Sequence, residues 1–141
     1  MNDKYQTGSP NPVNQEDLRP IQSGAAQSYD FVFAGGGLSG LSLAYHLVHS
    51  PLGDKSILIV DQSPKSQDDR TWGFWTDRPT PFDSIVYRSC DRLRFITPNL
   101  ERIAALDAYQ YKVIRGLDFY NFIRDDLAGR RNVTFSRGRV S

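Results

Sequence analysis

Residues 29–45, YDFVFAGGGLSGLSLAY, constrain this chain more than any other stretch. They open on an apolar run, Phe31-Val32-Phe33-Ala34, of the kind that forms a strand buried on both faces. Gly35, Gly37 and Gly40 follow at G-x-G-x-x-G spacing, and an amphipathic helical pattern begins at once. A second apolar run, Ser56-Ile57-Leu58-Ile59-Val60, ends in Asp61, about 20 residues past Gly40. Glycines alone would say little. Strand, glycine turn, helix, strand and acid together make the full context of a dinucleotide fingerprint.

Each residue type in the turn has a physical task. Gly35 permits a tight turn off the strand, where a Cβ would clash. Gly37 lets the backbone come close to a pyrophosphate, and Gly40, with Ala44 one turn later, lets the helix lie against the strands. An anion there meets N–H groups along Gly36, Leu38 and Ser39 and the positive end of the helix dipole. Asp61 is placed to accept hydrogen bonds from ribose hydroxyls. A carboxylate at that point repels a 2′-phosphate, which favours FAD or NAD over NADP.

The chain has 141 residues, enough for one modest domain, and its 39% hydrophobic content can fill a core. A net charge of +1 from 17 basic and 16 acidic side chains gives no strong field for nucleic acid. The single cysteine, Cys90, rules out an intramolecular disulfide and suits a reducing, cytoplasmic setting. No run reaches transmembrane length, and no signal-peptide pattern is present. Residues 1–28 are polar and rich in Asn, Gln, Ser, Gly and Pro, and read as a disordered lead-in.

Beyond the turn, a helix is expected from about Leu38 to His49, ended by Pro51-Leu52-Gly53. His46 and His49 lie one turn apart but lack Cys, Asp or Glu at ligand spacing, so they read as surface histidines and no metal site is expected. A polar loop, residues 63–69, leads to Asp69-Arg70-Thr71-Trp72-Gly73-Phe74-Trp75. Two readings stand side by side for this cluster. Its aromatics pack a loop onto the core, or Arg70 meets a cofactor phosphate or ribose beside an aromatic wall for an apolar substrate. Short alternating runs divided by turn residues such as Pro98-Asn99 then predict β-hairpins inserted over about residues 77–114. Leu117, Phe119, Tyr120, Phe122, Ile123 and Leu127 recur at helical spacing before Gly129, a candidate C-cap, and residues 132–135 read as a closing strand. A G-x-S-x-G elbow and a Walker lysine are both missing, which excludes those hydrolase and ATPase readings.

Together these features resemble the lycopene cyclases, flavoproteins of carotenoid biosynthesis, over residues 29–141. The resemblance is carried by the glycine motif with its Leu43-Ala44-Tyr45-His46-Leu47 run, by Asp69-Arg70-Thr71-Trp72-Gly73-Phe74-Trp75, and by Tyr111-Lys112-Val113-Ile114-Arg115-Gly116-Leu117-Asp118-Phe119-Tyr120. Gly73 stands where some relatives carry another small residue. The implied fold is α/β, a Rossmann-like FAD/NAD(P)-binding fold of the three-layer β-β-α type. Here it would be incomplete at the C-terminus, with residues 29–141 as the N-terminal part of the FAD-binding domain. The implied cofactor-binding residues are Gly35, Gly36, Gly37, Leu38, Ser39, Gly40, Asp61, Arg70, Arg115 and Val140.

The resemblance implies a lycopene beta-cyclase, an isomerase that closes β-ionone rings on lycopene without net redox change. An acid protonates the terminal double bond, the neighbouring double bond attacks the cation, and proton loss leaves the ring. FAD would act in its reduced form, with NAD(P)H as a candidate reductant. The family's acidic catalytic motif is expected beyond residue 141, so no catalytic residue is assigned and the chain alone is expected to be inactive. The apolar polyene implies peripheral membrane contact. Two alternatives share the fold, an FAD-dependent oxidoreductase or monooxygenase and an inactive nucleotide-binding fragment.

Overall fold

The computed structural model describes residues 27–140, and the lead-in read over residues 1–28 lies outside them up to residue 26. In chain order the elements are β1 (Phe31–Ala34), α1 (Leu38–Val48), β2 (Ile57–Asp61), β3 (Thr71–Thr76), a 3-10 turn (Asp83–Ile85), β4 (Val86–Cys90), β5 (Arg92–Thr97), β6 (Leu100–Ala105), β7 (Gln110–Arg115), α2 (Gly116–Ala128) and β8 (Val133–Arg137). The architecture is mixed α/β with three separate sheets among the described residues.

The first sheet is parallel, in the order β1-β2-β8, with Phe31 opposite Ile57 and Ile57 opposite Val133. Apolar side chains spaced three and four apart decide which helical faces meet it. Leu41, Ala44 and Val48 of α1 and Phe119, Tyr120, Ile123 and Leu127 of α2 join Ile57 and Ile59 in one core, with Phe31, Phe33, Val133 and Phe135 packed against it. Ala44 is fully buried within this core.

The expectation that β1 is buried on both faces is corrected. Val32 is 58% exposed, whereas Ile57 to Val60 are buried throughout. Position in the sheet is the reason. β2 has a strand on each side, while β1 pairs with β2 alone among the described residues and is covered only where Phe31 and Phe33 meet the core.

The second sheet is antiparallel, in the order β3-β7-β4. The cluster weighed above as a loop packing aromatics is thus a strand, paired with β7 from Thr71 opposite Arg115 to Thr76 opposite Gln110. Ladder hydrogen bonds to a partner about 40 residues away made it a strand, and its own polar and aromatic composition gave no period-2 signal strong enough to show that. The register slips between Val86 and Arg88, so Tyr87 is an extra residue in β4. Lys112, on the covered face of β7, is buried and donates to Asp83 Oδ1 at 2.8 Å. β5 and β6 form a two-stranded hairpin around Pro98-Asn99. Gly129 closes α2 as a C-cap with an ordinary right-handed φ of −78°.

Candidate functional site

The glycine turn is built by the ends of β1 and β2. Gly35 takes a φ of +108°, open chiefly to glycine, and its N–H donates to Val60 O at 2.8 Å. Gly36 is buried, and its N–H donates to Asp61 Oδ2 at 2.5 Å. A Cβ on Gly40 would run into the Gly35 carbonyl oxygen, which fixes how closely α1 approaches the turn. Gly37 differs, because a Cβ there would point into open space. Gly37 also caps α1 without any side-chain acceptor, and the first turn holds no acidic residue. The helix therefore presents unsatisfied N–H groups and the positive end of its dipole around Gly37, Leu38 and Ser39.

Asp61 is held firmly. Besides the Gly36 contact, its Oδ1 accepts from Ser63 N at 2.6 Å, and Lys65 Nζ lies 3.7 Å from Oδ2. Each carboxylate oxygen keeps a second lone pair for another donor. An open cleft of about 410 Å³ lies at this carboxyl end of the parallel sheet. It is lined by Ala34 and Gly35, by Asp61 and Lys65, and by Arg139 and Val140 beyond β8. A smaller cavity of about 40 Å³ adjoins it, where Arg124 and Ser136 join Gly36 and Asp61. Burial pulls the Arg124 guanidinium below its usual range, partly offset by the charge of Asp61. Its Nη2 donates to the Pro64 carbonyl.

Lys65 and Arg124 were not singled out from sequence. Lys65 sits four residues past Asp61, a spacing that could have suggested an ion pair. Arg124 carried only its place one turn after Tyr120 on α2, which does not reveal that α2 passes the end of β2.

The structure thus brings Gly35, Gly36, Asp61 and Val140 around joined cavities, with Gly37, Leu38, Ser39 and Gly40 continuing into α1. Arg70 and Arg115 lie elsewhere, at the paired ends of β3 and β7. Arg70 precedes Thr71, the partner of Arg115, and neither arginine lines the cleft. The Arg70 side chain is 68% exposed and its Nε lies 3.9 Å from Asp69 Oδ2. Arg115 is engaged, donating to both Asp118 oxygens at 2.7 and 3.2 Å and lying over the Tyr87 ring at 4.7 Å. The Asp118 carboxylate holds Arg115 above the ordinary guanidinium range.

The aromatic cluster divides between the two sides of β3. Trp72 packs edge-on against Phe119 and Tyr120, with centroids 5.4 and 5.6 Å away, and Phe74 also meets the core. Trp75 is half-exposed and lies against Tyr111 at 5.0 Å. A Cβ on Gly73 would collide with the Tyr111 hydroxyl, so this side of the sheet is shaped by the small residue.

His49 is exposed, as expected of a surface histidine, and its ring also makes structural contacts. Its Nδ1 donates to Tyr45 O at 2.8 Å and its Nε2 accepts from Arg130 at 3.2 Å, which joins the ends of α1 and α2. Among the described residues no cluster of His, Cys, Asp or Glu is arranged to hold a metal, and no helix is long and apolar enough to cross a membrane.

A family model described as "Lycopene cyclase protein" matches residues 30–141. No curated protein matches the chain.

Proposed function

The chain belongs to the lycopene cyclase family, and from that premise we propose that it carries the adenosine-diphosphate cradle of an FAD-dependent lycopene beta-cyclase with a Rossmann-like fold. One observation carries the reading most directly. The Asp61 carboxylate is fixed by Gly36 N and Ser63 N beside an uncapped helix start, at the mouth of a cleft of about 410 Å³. The parallel order β1-β2-β8 supports the same conclusion, since α/β sheets bind ligands outside the carboxyl ends of their strands.

The residues suit such a group. The open space at Gly37 leaves the backbone accessible to a pyrophosphate, which the N–H groups of Leu38 and Ser39 would hold. Asp61 would accept from the adenosine ribose hydroxyls with its remaining lone pairs. Lys65 and Arg124 bring positive charge beside it. Val140 offers an apolar edge to the adenine, and Arg70 and Arg115 would reach the cofactor from the β3–β7 end. When bound, reduced FAD would supply negative charge that favours a developing carbocation. The ring closure itself takes a proton at the polyene terminus and returns one afterwards. No acid of this chain is assigned to that transfer, and a polyene substrate brings peripheral membrane contact with it.

Titration of the purified chain with FAD, read by quenching of Trp72 and Trp75 emission, tests the cradle. Saturable binding that Asp61→Ala weakens by tenfold or more is expected, about 1.4 kcal/mol per tenfold. Binding that ignores the substitution overturns it. Reaction class is tested by giving lycopene and dithionite-reduced FAD under nitrogen to the protein. A cyclic carotene of unchanged mass is expected, without stoichiometric NAD(P)H consumption. A product two hydrogens or one oxygen heavier moves the assignment to the oxidoreductase reading.

A further inference from the structure

The β5–β6 hairpin buries little of what it carries. It forms a sheet of its own, and apart from Leu93 every residue from 91 to 103 is exposed. Phe95, Ile96, Leu100 and Ile103 are 53–64% exposed, a density of large apolar side chains that marks a binding surface. Register separates them onto two sides. Phe95 lies opposite Arg102 and Leu100 opposite Thr97 on one face, and Ile103 lies opposite Arg94 and Ile96 opposite Glu101 on the other. The apolar residues thus occupy both faces of the end bearing Pro98-Asn99.

Both faces matter for what the hairpin can bind. A protein partner laid against one face would leave the other in water. A medium that surrounds the end satisfies both at once. Charge narrows the choice further. The hairpin strands hold Arg92, Arg94 and Arg102 against Glu101, with Asp91 and Asp107 flanking them at the base. Arg94 donates to Glu101 Oε1 through Nε at 2.9 Å and Nη2 at 2.6 Å, which neutralises the one acid near the tip. Arginine stems can lie along apolar surface while their heads reach phosphate.

We infer that the β5–β6 hairpin is a shallow membrane wedge that seats Phe95, Ile96, Leu100 and Ile103 at the headgroup–acyl boundary of an anionic bilayer. The inference rests on the proposed substrate, because a polyene hydrocarbon dissolves in the bilayer and must be collected from it. Insertion is shallow because among the described residues each strand has an unpaired outer edge, whose N–H and C=O groups need water or headgroups.

Flotation of the chain with phosphatidylcholine vesicles, with and without about one third phosphatidylglycerol, tests this. Binding to the anionic vesicles that weakens with added salt is expected. Phe95→Ser with Leu100→Ser on one face, and Ile96→Ser with Ile103→Ser on the other, should each lower it by about tenfold or more. Arg92→Gln with Arg102→Gln should reduce only the anionic component. Phe95→Trp, a fold-conserving probe, should be quenched by brominated acyl chains. Absence of wild-type binding, or of that quenching, overturns the wedge. So does a response confined to one face, or self-association in sedimentation that the hairpin changes abolish without affecting vesicles, which would make a second copy the occupant. FAD titration on the same samples keeps the two readings apart, since FAD bound without vesicle binding overturns the wedge alone.

Discussion

The Tyr120 hydroxyl donates to Asp69 Oδ1 at 3.1 Å, tying the buried face of α2 to the residue just before Arg70. Asp68 Oδ1 accepts from Leu117 N at 3.2 Å, and Arg70 O accepts from Gly116 N at 2.6 Å. The acidic pair in front of the aromatic motif therefore sets where α2 begins. Arg70 stands at that junction, so its backbone is fixed while its side chain remains exposed.

Tyr120→Phe should cost about 1 kcal/mol in urea denaturation, the usual net worth of such a hydrogen bond. It should also change the alkaline limb of stability. Burial, then the hydrogen bond and charge of Asp69, push the Tyr120 hydroxyl from 10.0 up to about 12. The folded state holds this proton more tightly than the unfolded state does. The resulting stability is complete below pH 10.0 and is lost as pH rises toward about 12. Melting temperatures across that window should fall more steeply for the wild type than for Tyr120→Phe.

Gly37 and Gly40 should separate binding from folding. A Cβ at 37 meets nothing within 4 Å, so Gly37→Val should shift stability by less than about 0.5 kcal/mol while weakening FAD tenfold or more. A Cβ at 40 meets the Gly35 backbone, which cannot yield as a flexible side chain would. Gly40→Ala should cost about 1–3 kcal/mol, more than the helix propensity it gains. Thermal melts and FAD titrations of both variants check the pair, and equal losses of stability would contradict it.

The Lys112–Asp83 pair predicts an asymmetry. The Lys112 side chain is 8% exposed and that of Asp83 38%. Removing the carboxylate strands a buried ammonium, whereas removing the lysine leaves an acid that water can reach. Asp83→Asn should lower the melting temperature more than Lys112→Met. Hydrogen bonds from Lys112 and then Thr80 hold the Asp83 carboxyl below its ordinary 3.8. Its contribution is therefore present above pH 3.8 and lost as pH falls below it. Acid melts of Asp83→Asn should lack that step.

Local chemistry was legible and distant pairing was not. The left-handed turn at Gly35 and the apolar period of Leu41, Ala44 and Val48 depend on neighbours within a few residues, so the spacing alone located β1, α1 and β2. The same holds for the Phe119–Leu127 face of α2. Val32 looked buried because the apolar run of β1 does not tell an edge strand from a central one. β3 stayed hidden because its identity depends on β7, and Asp68 and Asp69 act on α2 from 49 and 51 positions away. Asp61 was visible from its spacing. Its hold by Gly36 and Ser63, and its company of Lys65 and Arg124, required three elements to meet.

The two arginines should part company when each is replaced. Arg115 is committed to Asp118 and to the Tyr87 ring, at the point where β7 runs into α2. Arg70 has only a loose contact with Asp69, and most of its side chain faces solvent. A group already held in a fork with a carboxylate must give up that contact to reach a phosphate, while an uncommitted guanidinium need not. Arg70→Ala should therefore leave the melting temperature almost unchanged and weaken FAD by about tenfold, in keeping with about 1.5 kcal/mol for a charge-assisted hydrogen bond. Arg115→Ala should lower the melting temperature and weaken FAD less. Arg131→Ala, at an exposed position on the turn after α2, serves as the control and should change neither. FAD titrations and melts of the three variants decide it, and a larger FAD effect at Arg115 than at Arg70 would reverse the assignment.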